Sequence, residues 1–258
     1  MDLNLVGKHA LVCGGSEGIG AATARELALL GATVTVLARL EAALRAAVAH
    51  IRGQRHGWLA ADMRDTAALR AQVDALTANA PVHILINNAG GPPGGPAHTA
   101  DASAFEAAFT QHLLANHALV QAVLPGMRAA RWGRVVNVIS TSVREPIPNL
   151  GVSNTVRGAV ASWAKTLSRE LAADGITVNN VLPGYTETAR LRQIVSYRAR
   201  SSGQSEDAVM QAMRQTVPAA RFADAAEVAA VVAFLCSPAA GYVNGASLAV
   251  DGGRMNSL

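Results

Sequence analysis

The hydroxyls of Ser140, Thr141 and Ser153, with a cation one helical turn beyond Ser153, are gathered within 134–157, which reads RVVNVISTSVREPIPNLGVSNTVR. Val135 to Ile139 is β-branched and almost wholly apolar, which predicts a buried strand. That strand delivers Ser140 and Thr141 at its carboxyl end. After a connection containing Pro146 and Pro148 come Ser153 and Arg157, four positions apart and therefore on one helix face. Hydroxyls beside a guanidinium can donate to a carbonyl oxygen and stabilise the charge that develops on it. They are poor terminal acids, however. A phenol ionises near ~10, and an aliphatic hydroxyl holds its proton far more tightly. The segment predicts a site that polarises an oxygen and draws its proton from elsewhere.

The elements needed to position such a site are legible along the chain. His9 to Cys13 reads as a short buried strand that breaks into Gly14-Gly15-Ser16-Glu17-Gly18-Ile19-Gly20, and a helix follows to Leu30. Strand, glycine turn and helix is the setting in which backbone N–H groups and a helix N-terminus receive a pyrophosphate. Thr33 to Ala38 is a second strand. A carboxylate at its end would select NAD by binding the ribose hydroxyls. Ala38 stands there instead, followed by Arg39, which can neutralise a 2′-phosphate; Glu17 would oppose that phosphate. The balance favours NADP(H) over NAD(H). Asp62 and Met63 end a third strand, and Asn88, Ala89 and Gly90 end a fourth, where small residues let the cofactor's adenosine half lie against the strand ends.

The pattern then continues as one long helix over 102–130, interrupted at Pro125, the 134–139 strand, and an amphipathic helix over 153–174. A sixth strand, 176–182, closes in Pro183-Gly184-Tyr185-Thr186-Glu187-Thr188. An Arg-rich, weakly helical stretch over 190–221 follows, then an apolar helix over 225–236 and a last strand before Asp251-Gly252-Gly253. Strands alternating with helices predict an α/β fold: a single-domain Rossmann-type doubly wound parallel sheet spanning 1–258.

Composition narrows the function classes. Half of the 258 residues are apolar and only 4% are aromatic, which suits small-residue packing of helices on a sheet. The net charge of +4 rests on scattered arginines, with lysine only at Lys8 and Lys165, and no basic run carries interleaved aromatics. Nucleic acid is not an expected partner. Cys13 and Cys236 lie in unrelated contexts, and the histidines show no metal-ligand spacing, so neither a disulfide framework nor a metal is expected. No apolar run approaches the ~18 residues of a membrane span, and the opening residues are unlike a signal peptide. The expected setting is soluble and cytoplasmic.

Taken together, these features resemble the short-chain dehydrogenase/reductase family over essentially the whole chain. Gly14-x-x-x-Gly18-Ile19-Gly20 is similar to its cofactor turn, and Asn87-Asn88-Ala89-Gly90 to its second motif. Pro183-Gly184 matches its nicotinamide-side motif, and Val250-Asp251-Gly252-Gly253 its C-terminal signature. The arrangement is closest to the 3-oxoacyl-carrier-protein reductase branch. The resemblance implies a catalytic Asn, a Ser, and a Tyr-x-x-x-Lys pair about thirteen residues beyond that Ser. The Ser falls on Ser140, the Tyr on Ser153, the Lys on Arg157 and the Asn on His112, with Asn116 one turn later. Three of the four residue types are replaced.

Arg157 keeps a cation that could hold the nicotinamide ribose. His112, by its ordinary pKa, and Tyr185, beside the expected nicotinamide pocket, are the candidates to supply the proton. Lys165, two helical turns past Arg157, is too distant. Ser16, Thr186 and Thr188 complete the expected cofactor contacts. The resemblance also implies a mobile substrate lid at about 190–216, whose arginines would suit an anionic substrate or an acyl thioester. It further implies a homodimer or homotetramer pairing the 102–130 and 153–174 helices. Three activities remain open: an NADP(H)-dependent carbonyl–alcohol oxidoreductase, a non-redox cofactor-binding regulator or inactive subunit, and an isomerase or lyase.

Overall fold

The computed structural model describes residues 1–53 and 55–257. Seven parallel strands form one sheet in the order β3-β2-β1-β4-β5-β6-β7. These are β1 (His9–Cys13), β2 (Thr33–Ala38), β3 (Gly57–Ala60), β4 (Ile84–Asn87), β5 (Gly133–Val138), β6 (Ile176–Pro183) and β7 (Ser247–Val250). Chain order reverses between β1 and β4, and the crevice beyond the strand ends at such a switch is where this architecture binds ligands. The predicted doubly wound sheet is therefore observed.

Helices α1 (Gly18–Leu29), α2 (Glu41–Ala49) and α9 (Ala225–Cys236) cover one face, where Leu27, Leu44, Val228 and Val232 meet Val34, Val36, Ile84, Ile86 and Val136. Helices α3 (Thr66–Asn79), α5 (Ala115–Ala129) and α6 (Gly151–Glu170) cover the other through Leu69, Val73, Leu119, Val123 and Ala164. With both faces covered, the strands need unbroken apolar runs rather than alternation. Asp65 caps α3, its side chain accepting from the backbone N–H of Ala68 at 3.0 Å. α7 (Ala189–Ser202) and α8 (Glu206–Gln215) close on their own small core of Leu191, Val195, Val209, Met213 and Phe222. The stretch expected to be weakly helical is thus two defined helices, because each buries an apolar stripe against the other.

One boundary differs in kind. The 102–130 helix breaks at Thr110–Leu114, a π-helical turn between α4 (Ala102–Phe109) and α5, and Pro125 lies inside unbroken α5. Pro125 and Gln121 are both exposed, so the carbonyl left without a donor lies on the solvent side, where the loss is small. π turns are rare and concentrate at functional sites.

Three asparagines sit at matching register positions in otherwise apolar strands. Asn87 pairs with Asn137, and Asn137 with Asn180, which lies opposite Ser247. Their side chains form a chain of amides: Asn87 Nδ2 donates to Asn137 Oδ1 at 2.8 Å, Asn137 Nδ2 to Asn180 Oδ1 at 2.9 Å, and Asn180 Nδ2 to Ser247 Oγ at 3.1 Å. Bonds of this kind offset the burial of the amides, while Asn87 Oδ1 has no partner among the described residues. Among the described residues, no helix is long and apolar enough to cross a membrane, and no cluster of His, Cys, Asp and Glu could hold a metal ion.

Candidate active site

The turn after β1 is built for close backbone approach. Gly14 has φ +59°, and a Cβ there would stand 2.5 Å from the Asn88 carbonyl oxygen; a Cβ on Gly20 would stand 2.1 Å from the Gly14 oxygen. Only hydrogen fits at either place. Glu17 occupies the N-cap of α1, but its side chain makes no capping bond and is exposed, and the first turn carries no acid. The helix's first N–H groups thus keep their capacity for an anion. Across the crevice, a Cβ on Gly18 would come within 3.2 Å of the Thr188 methyl, so the two sides of the cleft approach within one small group of each other. These features fit a dinucleotide.

The remaining cofactor candidates line the same strand ends. Asn88 Nδ2 bonds the Cys13 carbonyl at 3.3 Å, fixing the end of β4 to that of β1. Gly184 donates to the Val250 carbonyl at 2.9 Å, and a Cβ on it would stand 2.7 Å from Asp251 Cα, so the Pro183-Gly184 and Asp251-Gly252 segments are packed together. Thr186 is buried, and the Thr188 hydroxyl caps α7 by accepting from the Leu191 N–H at 3.4 Å. Arg39 is exposed and Met63 buried. Asp62 is bound by Arg64 at 2.6 Å, which, ahead of Arg39, holds its carboxyl below the ordinary range.

Arg157 is bonded to Ser153 and to the strand end that precedes Ser140. Its Nε donates to Ser153 Oγ at 3.2 Å, and its Nη1 to the Ile139 carbonyl at 2.7 Å, one residue before Ser140. Ser140 Oγ accepts from the Ser142 N–H at 3.0 Å. Each serine oxygen therefore accepts from the chain, and each hydroxyl proton is left to donate. Burial, then the neighbouring Arg190, lowers the Arg157 pKa to about 10, so it stays charged at neutral pH.

His112 sits on the π turn and is buried. Burial, with Arg157 and Arg190 adding to it against a smaller opposing effect of the Gly90 carbonyl, pushes its pKa down to about 3. The ordinary value assumed from sequence does not apply: the ring is neutral at physiological pH, one nitrogen donating and the other accepting. Because its folded pKa lies below the unfolded 6.5, the unfolded chain binds the extra proton. Stability is fully present above about pH 6.5 and falls by about 1.4 kcal/mol per pH unit as pH drops towards the folded value. His9 and His83, also lowered by burial, act with the same sign. The His112→Gln variant should therefore lose less stability than the parent between pH 6.5 and 4.5, measured by urea unfolding at each pH.

Tyr185 meets other partners. Its ring packs edge-on to Phe222 at 6.0 Å, with Arg254 over it at 4.5 Å, and Arg254 in turn lies 3.4 Å from the Thr141 hydroxyl. No hydrogen bond joins Tyr185 to Ser140 or Ser153 among the described residues. Lys165 bonds the Gly245 carbonyl at 3.2 Å, away from Arg157. Sequence reasoning missed the contact of Arg254 with Thr141, which lies 113 residues away in the chain.

The family model described as enoyl-(acyl carrier protein) reductase matches residues 14–255. The chain is 34% identical to a 3-oxoacyl-(acyl-carrier-protein) reductase of Vibrio harveyi over 254 residues, 97% of this chain and 98% of the other. It superposes on L-sorbose reductase of Gluconobacter frateurii, solved with NADPH and L-sorbose, with a TM-score of 0.94, 29% identity and full coverage of both chains. A variant actinorhodin polyketide ketoreductase with NADPH gives a TM-score of 0.92 at 31% identity, covering 97% of this chain and 98% of that one. The protein belongs to the short-chain dehydrogenase/reductase family, a family of oxidoreductases.

Proposed function

We propose that the protein is an NADP(H)-dependent oxidoreductase that interconverts a carbonyl and an alcohol, on a small-molecule or acyl-thioester substrate. The observation that carries this reading is the Arg157 hydrogen bond to Ser153, which polarises the Ser153 hydroxyl from behind and leaves its proton free to donate forwards. When bound, the nicotinamide supplies or accepts a hydride. Ser140 and Ser153 hold the substrate oxygen, and Arg157 orients and polarises Ser153. His112, neutral and able to accept and donate at once, passes a proton between water and that oxygen. Tyr185 is the second candidate for that transfer. The lid comprises α7 and α8, which pack on each other and are anchored to the body through Tyr185 and Phe222. The test is NADPH oxidation with a panel of ketones and 3-oxoacyl thioesters. Tight NADPH binding with no turnover across the panel would sink the reading in favour of a non-redox regulator; turnover without loss of NADPH absorbance would indicate an isomerase or lyase.

Arg39 supports preference for NADP(H), being an exposed cation at the end of β2 that forms no salt bridge among the described residues. Arg39→Ala should raise the NADPH dissociation constant about 10-fold, a typical loss for one charge-assisted contact, and leave that for NADH nearly unchanged, as read by fluorescence titration. Assembly as a homodimer or homotetramer is proposed through the α4–α5 and α6 faces, where Phe109 and Leu114 remain 39% and 45% exposed. Light scattering should show a dimer or tetramer, and Phe109→Glu should shift it towards monomer.

A further inference from the structure

The arginines of this chain divide by how their charge is met. Arg45, Arg64, Arg70, Arg128 and Arg221 are paired with carboxylates at the surface. Arg134, Arg198, Arg214 and Arg254 each lie over an aromatic ring. Arg157 and Arg190 have neither among the described residues. Yet both are desolvated enough for burial to lower their pKa values. Removing a cation from water without an opposite charge is unfavourable, and setting a second beside it adds repulsion.

Their outer nitrogens converge. A Cβ on Gly91 would stand 3.2 Å from Arg190 Nη2 and 3.3 Å from Arg157 Nη2, so the two guanidinium groups face each other across a residue with no side chain. Arg190 is held in place by its own Nη2, which donates one N–H to the Pro92 carbonyl at 2.7 Å, and by Nη1, which donates one to Gln193 Oε1 at 3.5 Å; one N–H on each nitrogen is left. The rest of the Arg157 group is committed to Ser153 and to the end of β5. Of the lid arginines, Arg192 and Arg200 are exposed, and Arg198 and Arg214 are laid on Tyr185 and Phe222. Arg190 alone turns into the cleft. The dinucleotide's pyrophosphate has its own cradle at Gly14–Gly20, whereas this cation pair adjoins the hydroxyls that hold the reacting oxygen.

We propose that Arg190 and the free Nη2 of Arg157 receive a carboxylate of the substrate. The substrate is then an oxo acid, or the matching hydroxy acid, with its carboxylate one or two carbons from the reacting carbon. The inference rests on the reductase reading. The carboxylate is a handle: hydride from the reduced nicotinamide adds to the carbonyl carbon, a proton adds to its oxygen, and the acid group is unchanged. A bidentate guanidinium suits such a planar anion.

The test compares 2-oxobutyrate and acetoacetate with their methyl esters as substrates of the full-length protein and NADPH. The acid should be preferred, and Arg190→Ala should lower the acid-to-ester ratio of kcat/KM by about 10–100-fold, the range for one charge-assisted contact. Arg190→Lys should restore part of the ratio, and Arg169→Ala, a surface change on α6, should leave it intact. A second readout needs no turnover: malonate with NADP+ should raise the melting temperature of the parent but not of Arg190→Ala. If malonate stabilises in this Arg190-dependent way while no carbonyl is reduced, the anion site stands and the reductase reading falls. If esters are used as well as acids, or malonate has no Arg190-dependent effect, the anion site is overturned. It is equally overturned if Arg190→Ala alters only the NADPH dissociation constant, which would assign the pair to the cofactor.

Discussion

Replacing Arg157 with Met is expected to lower kcat by about 10²-fold or more, the lower range for losing a positioned acid–base group. Methionine roughly preserves the length of the side chain but supplies no donor. Ser153 then loses the bond that orients its oxygen and the charge that polarises its hydroxyl. The Ile139 carbonyl loses its 2.7 Å donor at the strand end that carries Ser140, and the Val138 carbonyl a weaker one at 3.4 Å. Both serines should therefore be less well placed, so the loss should fall on kcat more than on NADPH affinity. Arg157→Lys should recover part of it, because an ammonium keeps the charge but cannot bridge the hydroxyl and the carbonyl with a planar fork. Steady-state kinetics checks this, with circular dichroism to establish that each variant is folded. Equal turnover in the Met variant would remove Arg157 from the mechanism.

Gly20→Ala should weaken NADPH binding at least 100-fold while leaving a folded protein with a lower melting temperature. The added methyl would sit 2.1 Å from the Gly14 oxygen and 2.8 Å from the Asn88 amide nitrogen. Neither is the loose end of a long side chain. The turn must open, and it must do so where α1 presents its first N–H groups. Overpacking of this kind costs about 1–3 kcal/mol of stability. The cofactor bears a further loss, because misplacing several donors to one pyrophosphate removes their contributions together. Isothermal titration with NADPH reads the affinity, and calorimetry the melting temperature; unchanged affinity would mean that the pyrophosphate does not use this turn.

Much of this was legible in the sequence because the signals are local. The β1 strand and its glycine turn, the Asp65 cap and the apolar α9 follow from short-range patterns, and α9 occupies Ala225–Cys236 as expected. What was not legible depends on distant partners. The π turn at Thr110–Leu114 has no local signature, and Pro125, which has a strong one, turned out harmless because its helix face is exposed. The depressed pKa of His112 needs burial and two arginines from other elements. The ring partners of Tyr185, Phe222 and Arg254, lie far along the chain and were not legible from its place after Pro183-Gly184. Arg190 was visible only as one of several basic residues in a lid; its convergence with Arg157 depends on how α7 docks.

The chain of amides from Asn87 through Asn137 and Asn180 to Ser247 bears on how the molecule yields to stress. Shifting any one of these strands by a single residue would turn its amide to the opposite face and leave its neighbours' polar atoms bare in an apolar interior. Partial unzipping is therefore penalised from within, and β4 to β7 should open as one cooperative unit. The ends of these strands carry Asn88–Gly90, Ser140, Pro183–Gly184 and Asp251, so the parts of the site that must keep register travel on one slab. The α7–α8 pair lies outside that slab, with its own small core and stacked rings.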